Sequence, residues 1–155
     1  MASTAIDYPL STYLVALCAG PYHEVTDTWR GELTAHPEGK PAQKLEVPLG
    51  IYCRASLAHA LDAERLFTET KQGFDFYHRN FGFPYPFGKY DQIFVPEFNA
   101  GAMENAGCVT IRDEYVFTSQ ATHYKYERRA DTILHELAHM WFGDLVTMQL
   151  SLIHI

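Results

Sequence analysis

The chain has 155 residues, of which 47% are hydrophobic, 14% aromatic and 20% charged, a composition that excludes a disordered or low-complexity polymer. Twelve basic against nineteen acidic residues leave a formal charge of −7. That balance argues against nucleic acid or an anionic membrane as partner, because phosphate binding needs clustered Lys and Arg.

The longest uncharged apolar run, residues 13–19, is far too short to span a bilayer. Met1-Ala2-Ser3-Thr4 lacks the basic start of a signal peptide. Cys18, Cys53 and Cys108 are odd in number and widely spaced, which fits reduced thiols. None of Asn80, Asn99 and Asn105 lies in a glycosylation sequon. Together these features predict a soluble, cytoplasmic protein.

The first third reads as β structure. Residues 8–17 and 22–29 are rich in Tyr, Val, Thr and Leu, with Gly20-Pro21 as a turn between them. A polar loop at 36–41 precedes a third strand over 45–52, which Pro48 places at an edge or a bulge. Three such strands do not close a domain, so they are expected to belong to a larger sheet. The pattern changes at 54–60, where a domain boundary is expected. Over 62–81 the apolar residues Phe67, Phe74, Tyr77 and Phe81 share one helical face, which predicts core packing. Asp62 is the expected N-cap, and Gly82 with Pro84 and Pro86 ends the helix. Strands follow over 90–98 and 108–117, separated by a glycine-bracketed segment, 99–107. A last helix is predicted over 124–142, stopped near Gly143. The fold class is therefore α+β.

His135-Glu136-Leu137-Ala138-His139 carries the strongest chemical signal. Residues four apart share a helix face, so both imidazoles can reach one metal ion. Imidazole suits zinc, and Glu136 between them is placed to act as a general base. Ile133, Leu134, Leu137, Ala138, Met140, Trp141 and Phe142 make this helix apolar nearly all round. A helix of that kind is buried, and a buried His-Glu-His cluster needs a partner such as zinc. A catalytic zinc takes three protein ligands. His123 and His154 stand at spacings that tie neither to such a site, and both read as surface histidines.

Gly101-Ala102-Met103-Glu104-Asn105 adds a second element. A strand edge offers free backbone groups to an extended peptide. Glu104 on that edge could hold a free ammonium by a charge-assisted hydrogen bond, restricting cleavage to the first residue of a chain. Alone, the segment also reads as an acidic turn between strands.

The two motifs together, the second continuing as His139-Met140-Trp141-Phe142-Gly143-Asp144-Leu145-Val146-Thr147-Met148, resemble the M1 (gluzincin) family of zinc aminopeptidases, the aminopeptidase N type. The resemblance runs from about Tyr8 to Met148. It implies that residues 1–57 are the end of an all-β, saddle-shaped N-terminal domain and 58–148 the first part of a thermolysin-like α+β catalytic domain. It further implies zinc on His135 and His139, Glu136 as general base, and Glu104 as anchor for the α-amino group of a peptide. Gly101, Ala102, Met103 and Asn105 would line the substrate strand. In this family the third zinc ligand is a glutamate farther along, which counted from His139 falls beyond Ile155. A tyrosine that stabilises the tetrahedral intermediate is also not matched. Residues 149–155 do not resemble the family and are expected to be foreign sequence, leaving residues 1–155 without activity. Other readings are a dead truncated chain with weak or no metal binding, a thermolysin-type endopeptidase, against which Glu104 argues, and a leukotriene A4 hydrolase-like bifunctional enzyme.

Overall fold

The computed structural model describes residues 6–34, 39 and 41–147. His154, the tail 149–155 and most of the loop 36–41 lie outside the described residues. β1 (Tyr22–Leu33) and β2 (Gln43–Arg54) form an antiparallel pair in register from Tyr22 opposite Arg54 to Leu33 opposite Gln43. Along β2, Val47, Leu49, Ile51 and Cys53 are buried while Lys44, Glu46, Pro48 and Arg54 are exposed, the period of two of a half-buried strand. Pro48 stands one residue before β2 gains a second partner at Leu49, so only one ladder runs there. That is the edge setting a proline requires.

α1 (Ala63–Phe81) then crosses over to β3 (Tyr90–Val95), which lies parallel to β2 with Leu49 opposite Tyr90. β4 (Ala102–Met103), β5 (Cys108–Arg112) and α2 (His123–His139) follow. The strand order is β1-β2-β3-β5-β4, with β3 and β5 parallel and β4 antiparallel to β5. The architecture is therefore mixed α and β on one five-stranded sheet. That sheet runs across residues 54–60, since β2 before them pairs with β3 after them.

Residues 8–17 differ from expectation. They form no strand in this sheet but a single 3-10 turn, Thr12–Leu14, closed by Leu14 N–H to the Ser11 carbonyl at 3.1 Å. Leu14 is buried as the anchor, whereas Tyr13, Val15 and Leu17 are exposed, so their alternation marks an uncovered face. The two later strands are shorter than expected. After β3 the chain turns at Glu97, which adopts φ 54°, and after β5 it enters a 3-10 turn, Asp113–Tyr115.

Both helices pack into one core with the sheet. Trp29 from β1 stacks on His78 and Phe74 of α1 at 4.5 and 5.1 Å, and its indole N–H donates to Asp75 at 2.9 Å. α1 ends as expected, with Gly82 left-handed at φ 63°. Its start differs in detail: the Asp62 carboxylate makes no cap bond and instead pairs with Arg65 at 3.3 Å and with the buried Arg129 of α2 at 3.2 Å. α1 crosses α2 at Gly73, where a Cβ would stand 2.6 Å from Leu134 Cδ2. No helix among the described residues is long and apolar enough to cross a membrane.

Candidate active site

The C-terminal turn of α2 is fixed by Trp141. Its ring is buried among Tyr77, Phe81 and Tyr85 at centroid distances of 5.6 to 5.9 Å, and its N–H donates to the Phe83 carbonyl at 3.0 Å. Tyr77 donates its hydroxyl to the Leu134 carbonyl at 2.8 Å. These contacts set the rotation of α2, turning Ile133, Glu136, Leu137 and Met140 inward. His135 is exposed and His139 half-buried, so the helix is not buried all round. The reason is its own period: the apolar anchors occupy one side, and the histidine pair falls on the other.

The two histidines are brought together. Their Nε2 atoms lie 3.1 Å apart, with the rings nearly perpendicular at 82°. A tetrahedral zinc with two bonds of about 2.0–2.1 Å would place its ligand atoms about 3.3 Å apart, so the pair fits such an ion. His139 Nδ1 lies 2.9 Å from the Phe142 carbonyl. A carbonyl only accepts, so Nδ1 carries the proton and Nε2 presents its lone pair. Gly143 makes this turn possible. It sits at φ 137°, and a Cβ there would stand 3.1 Å from His139 Nδ1. Among the described residues no group of three or more His, Cys, Asp or Glu is arranged to hold a metal, so the donor set here is two imidazoles.

Glu136 is buried, and its Oε2 has no hydrogen-bond partner. Burial first, and then the charge of Glu104, push its carboxyl up to about 7, against the opposing pull of His139. A carboxyl poised there can take and return a proton near neutral pH. Glu104, half-buried at the end of β4, is thereby brought electrostatically close to Glu136. Gly101 is exposed, Ala102 and Met103 are half-buried, and β4 is the edge of the sheet, with backbone groups open on one side. Asn105 is placed otherwise than along this edge. It is buried, its amide donating to the Leu14 carbonyl at 3.2 Å and accepting from the Thr110 hydroxyl at 2.8 Å. It clasps the 12–14 turn to the sheet.

Asp144 is an addition that sequence reading did not single out. It is 2% exposed, neither carboxylate oxygen has a partner, and its N–H donates to the His139 carbonyl at 3.0 Å. Burial and the charges of Glu104 and Glu136 push it up to about 7. Tyr13, though largely exposed, has its hydroxyl raised by partial desolvation and by the charges of Glu104 and Asp144, so this residue of the clasped turn stands near the same acids. His123, by contrast, is exposed at the start of α2 and pairs with Glu127 at 3.3 Å.

Residues 66–150 match the model of the peptidase family M1 domain. The chain is similar to an aminopeptidase N of Streptomyces lividans, 60% identical over 140 residues, which cover 90% of this chain and 15% of that protein. It is also similar to aminopeptidase 2 of Candida albicans, 36% identical over 143 residues, covering 90% of this chain and 14% of that protein. Glutamyl aminopeptidase of Sus scrofa is 35% identical over 143 residues, covering 91% and 14%. The chain thus spans about one-seventh of the length of these relatives. With more than half of its residues matched by the family model, this chain belongs to peptidase family M1.

Proposed function

We propose that this chain carries part of the active site of a zinc-dependent aminopeptidase that removes N-terminal residues from peptides. The observation that carries the reading is the convergence of His135 and His139 Nε2 at 3.1 Å beside the buried Glu136. His135 and His139 would hold the zinc, which when bound supplies Lewis acidity to a peptide carbonyl and acidity to water. Glu136, buried beside the histidine pair, would accept the proton of the attacking water and return it to the departing amine. Glu104 takes the substrate ammonium, which stops a longer chain from continuing past it and makes the reaction exopeptidic. Ala102 and Met103 offer their open edge to the substrate backbone.

The names of the relatives support peptide substrates. Residues 1–57 are proposed as the end of a saddle-shaped β domain and 58–148 as the first part of a thermolysin-like one. A cytoplasmic setting is proposed from the free thiols and lack of sequons. With two imidazoles as donors among the described residues, residues 1–155 alone are expected to bind zinc weakly and hydrolyse nothing.

The test uses the full-length protein and alanine or leucine anilides. Glu136→Gln should abolish turnover. Glu104→Ala should lower kcat/KM roughly ten- to a hundredfold through loss of a charge-assisted contact, with zinc content unchanged. Undiminished cleavage by both variants would refute the assignment.

A further inference from the structure

An open cavity of about 580 Å³ lies at the end of β5, under residues 113–119, and is lined by Arg54, Arg112, Lys125 and Arg128. Its acidic lining is Asp113 and Glu114. A third of the twelve Lys and Arg residues of an acidic chain therefore gather around one cavity. Arg54 pairs with Asp113 at 2.7 Å and Arg112 with Glu114 at 3.7 Å, while Arg128 reaches Asp131, outside the lining, at 3.7 Å. Lys125 makes no ion pair among the described residues. The lining thus keeps an excess of positive charge, which favours an anionic occupant.

The cavity adjoins the proposed substrate edge. β4 runs antiparallel to β5, so the end of β4 remote from Glu104 lies beside the end of β5. There the Arg112 N–H donates to the Gly101 carbonyl at 3.0 Å, and the Tyr115 hydroxyl stands 4.0 Å from where a Gly101 Cβ would be. Arg112 and Tyr115 both line the cavity. A peptide whose ammonium sits at Glu104 has one direction open along this edge. Beyond Glu104 the chain turns inward at the buried Asn105, so the peptide runs back past Met103 and Ala102 to Gly101. Three residues of strand cover about 10 Å.

We propose that this cavity is a subsite for a carboxylate carried three or more residues downstream of the substrate's N-terminus, and so favours short peptides with a free C-terminus or an acidic side chain there. The inference rests on the aminopeptidase reading above. Both sources present the same group, a carboxylate facing Lys125, Arg128 and Arg112.

The full-length protein distinguishes them with three substrates at about 0.01 M ionic strength, where surface charge is little screened: tetra-alanine as the free acid, its C-terminal amide, and Ala-Ala-Ala-Asp amide. The free acid or the Asp peptide should show a KM about two- to fivefold below that of tetra-alanine amide, as expected for exposed charge pairs. Which of the two gains names the source, and either supports the subsite. The gain should vanish in the double variant Lys125→Gln, Arg128→Gln, whose kcat on alanine anilide should be unchanged. Equal KM for all three substrates in the wild type, or a preference that survives in the double variant, overturns the proposal. Anilide hydrolysis that survives Glu136→Gln overturns the aminopeptidase reading instead, whatever the tetrapeptides show.

Discussion

Replacing Gly143 by alanine tests whether the loop after α2 sets the geometry of the histidine pair. At φ 137° the backbone occupies a region that L residues rarely adopt. Holding a side chain there costs of order 1–3 kcal/mol. The new Cβ would also press on His139, 3.1 Å from Nδ1 and 3.6 Å from the carbonyl oxygen. The loop cannot relax freely, since Gly143 N–H donates to the Val146 carbonyl at 2.9 Å and Val146 N–H to the Trp141 carbonyl at 3.1 Å. The ring must give way instead, loosening the 2.9 Å bond from Nδ1 to the Phe142 carbonyl that orients Nε2. Loss of such an orienting partner lowers metal affinity about 10- to 100-fold. The measurement is zinc retained by the full-length Gly143→Ala protein during titration with a competing chelator, read beside its melting temperature. A variant with wild-type zinc affinity and melting temperature would refute the role given to this glycine.

Asp62→Ala should lower stability by about 1.5–3 kcal/mol in urea unfolding, because it strips the buried Arg129 guanidinium of its carboxylate. Glu69→Gln should stabilise the protein at pH 7. Burial raises the Glu69 carboxyl against the pull of Arg129, and one of its oxygens has no partner. A folded pKa above the unfolded one contributes stability that is present below the unfolded value and lost as pH rises through the folded one. The difference between wild type and Glu69→Gln should therefore shrink toward pH 4, and a pH-independent difference would exclude this cause. Gly73→Val should destabilise the protein by about 1–3 kcal/mol by overpacking the α1–α2 crossing, seen as a lower urea midpoint.

Local signals were legible in the sequence where one residue type has one structural meaning. Asp62 and Gly82 bracket α1 as expected, and the spacing of His135 and His139 puts their ring nitrogens together. The same alternation of apolar residues misled at 8–17, because Tyr13, Val15 and Leu17 face outward from a segment that pairs with no strand of the sheet. Periodicity reports which positions are apolar and says nothing of whether a partner strand lies alongside. The clasp of Asn105 on Leu14 joins residues 91 positions apart, and no local pattern announces it. The parallel pairings are equally invisible to local patterns: that of β2 with β3 depends on the crossover through α1, and that of β3 with β5 on the connection over residues 96–107. Nothing in the local pattern singles out Asp144; only the closing of the 139–146 turn buries it near Glu104 and Glu136.

The ordinary rules of folding are broken in one place more than elsewhere. Glu136 Oε2, both oxygens of Asp144 and the Tyr90 hydroxyl are buried without partners, and the charges of Glu136 and Asp144 both bear on Tyr90. Gly143 adds an unusual backbone conformation one residue away from Asp144. Burial of such polar groups opposes folding unless the surroundings offset it. The surrounding apolar packing holds the segment 136–144 in place. Trp141 lies between Glu136 and Asp144 in the chain, and its ring makes edge contacts with His78, Phe81 and Tyr85 at 5.3 to 5.7 Å. Met140, fully buried, accepts from Gly107 N–H, and its sulfur lies 3.8 Å from the Tyr85 hydroxyl, which donates to the Lys89 carbonyl at 2.9 Å. A loop of buried acids locked by a dense aromatic cluster is the arrangement expected where preorganised acids serve chemistry rather than stability. Truncating Trp141 should therefore disturb the site and the fold together, whereas substitution of exposed His135 should leave the fold intact.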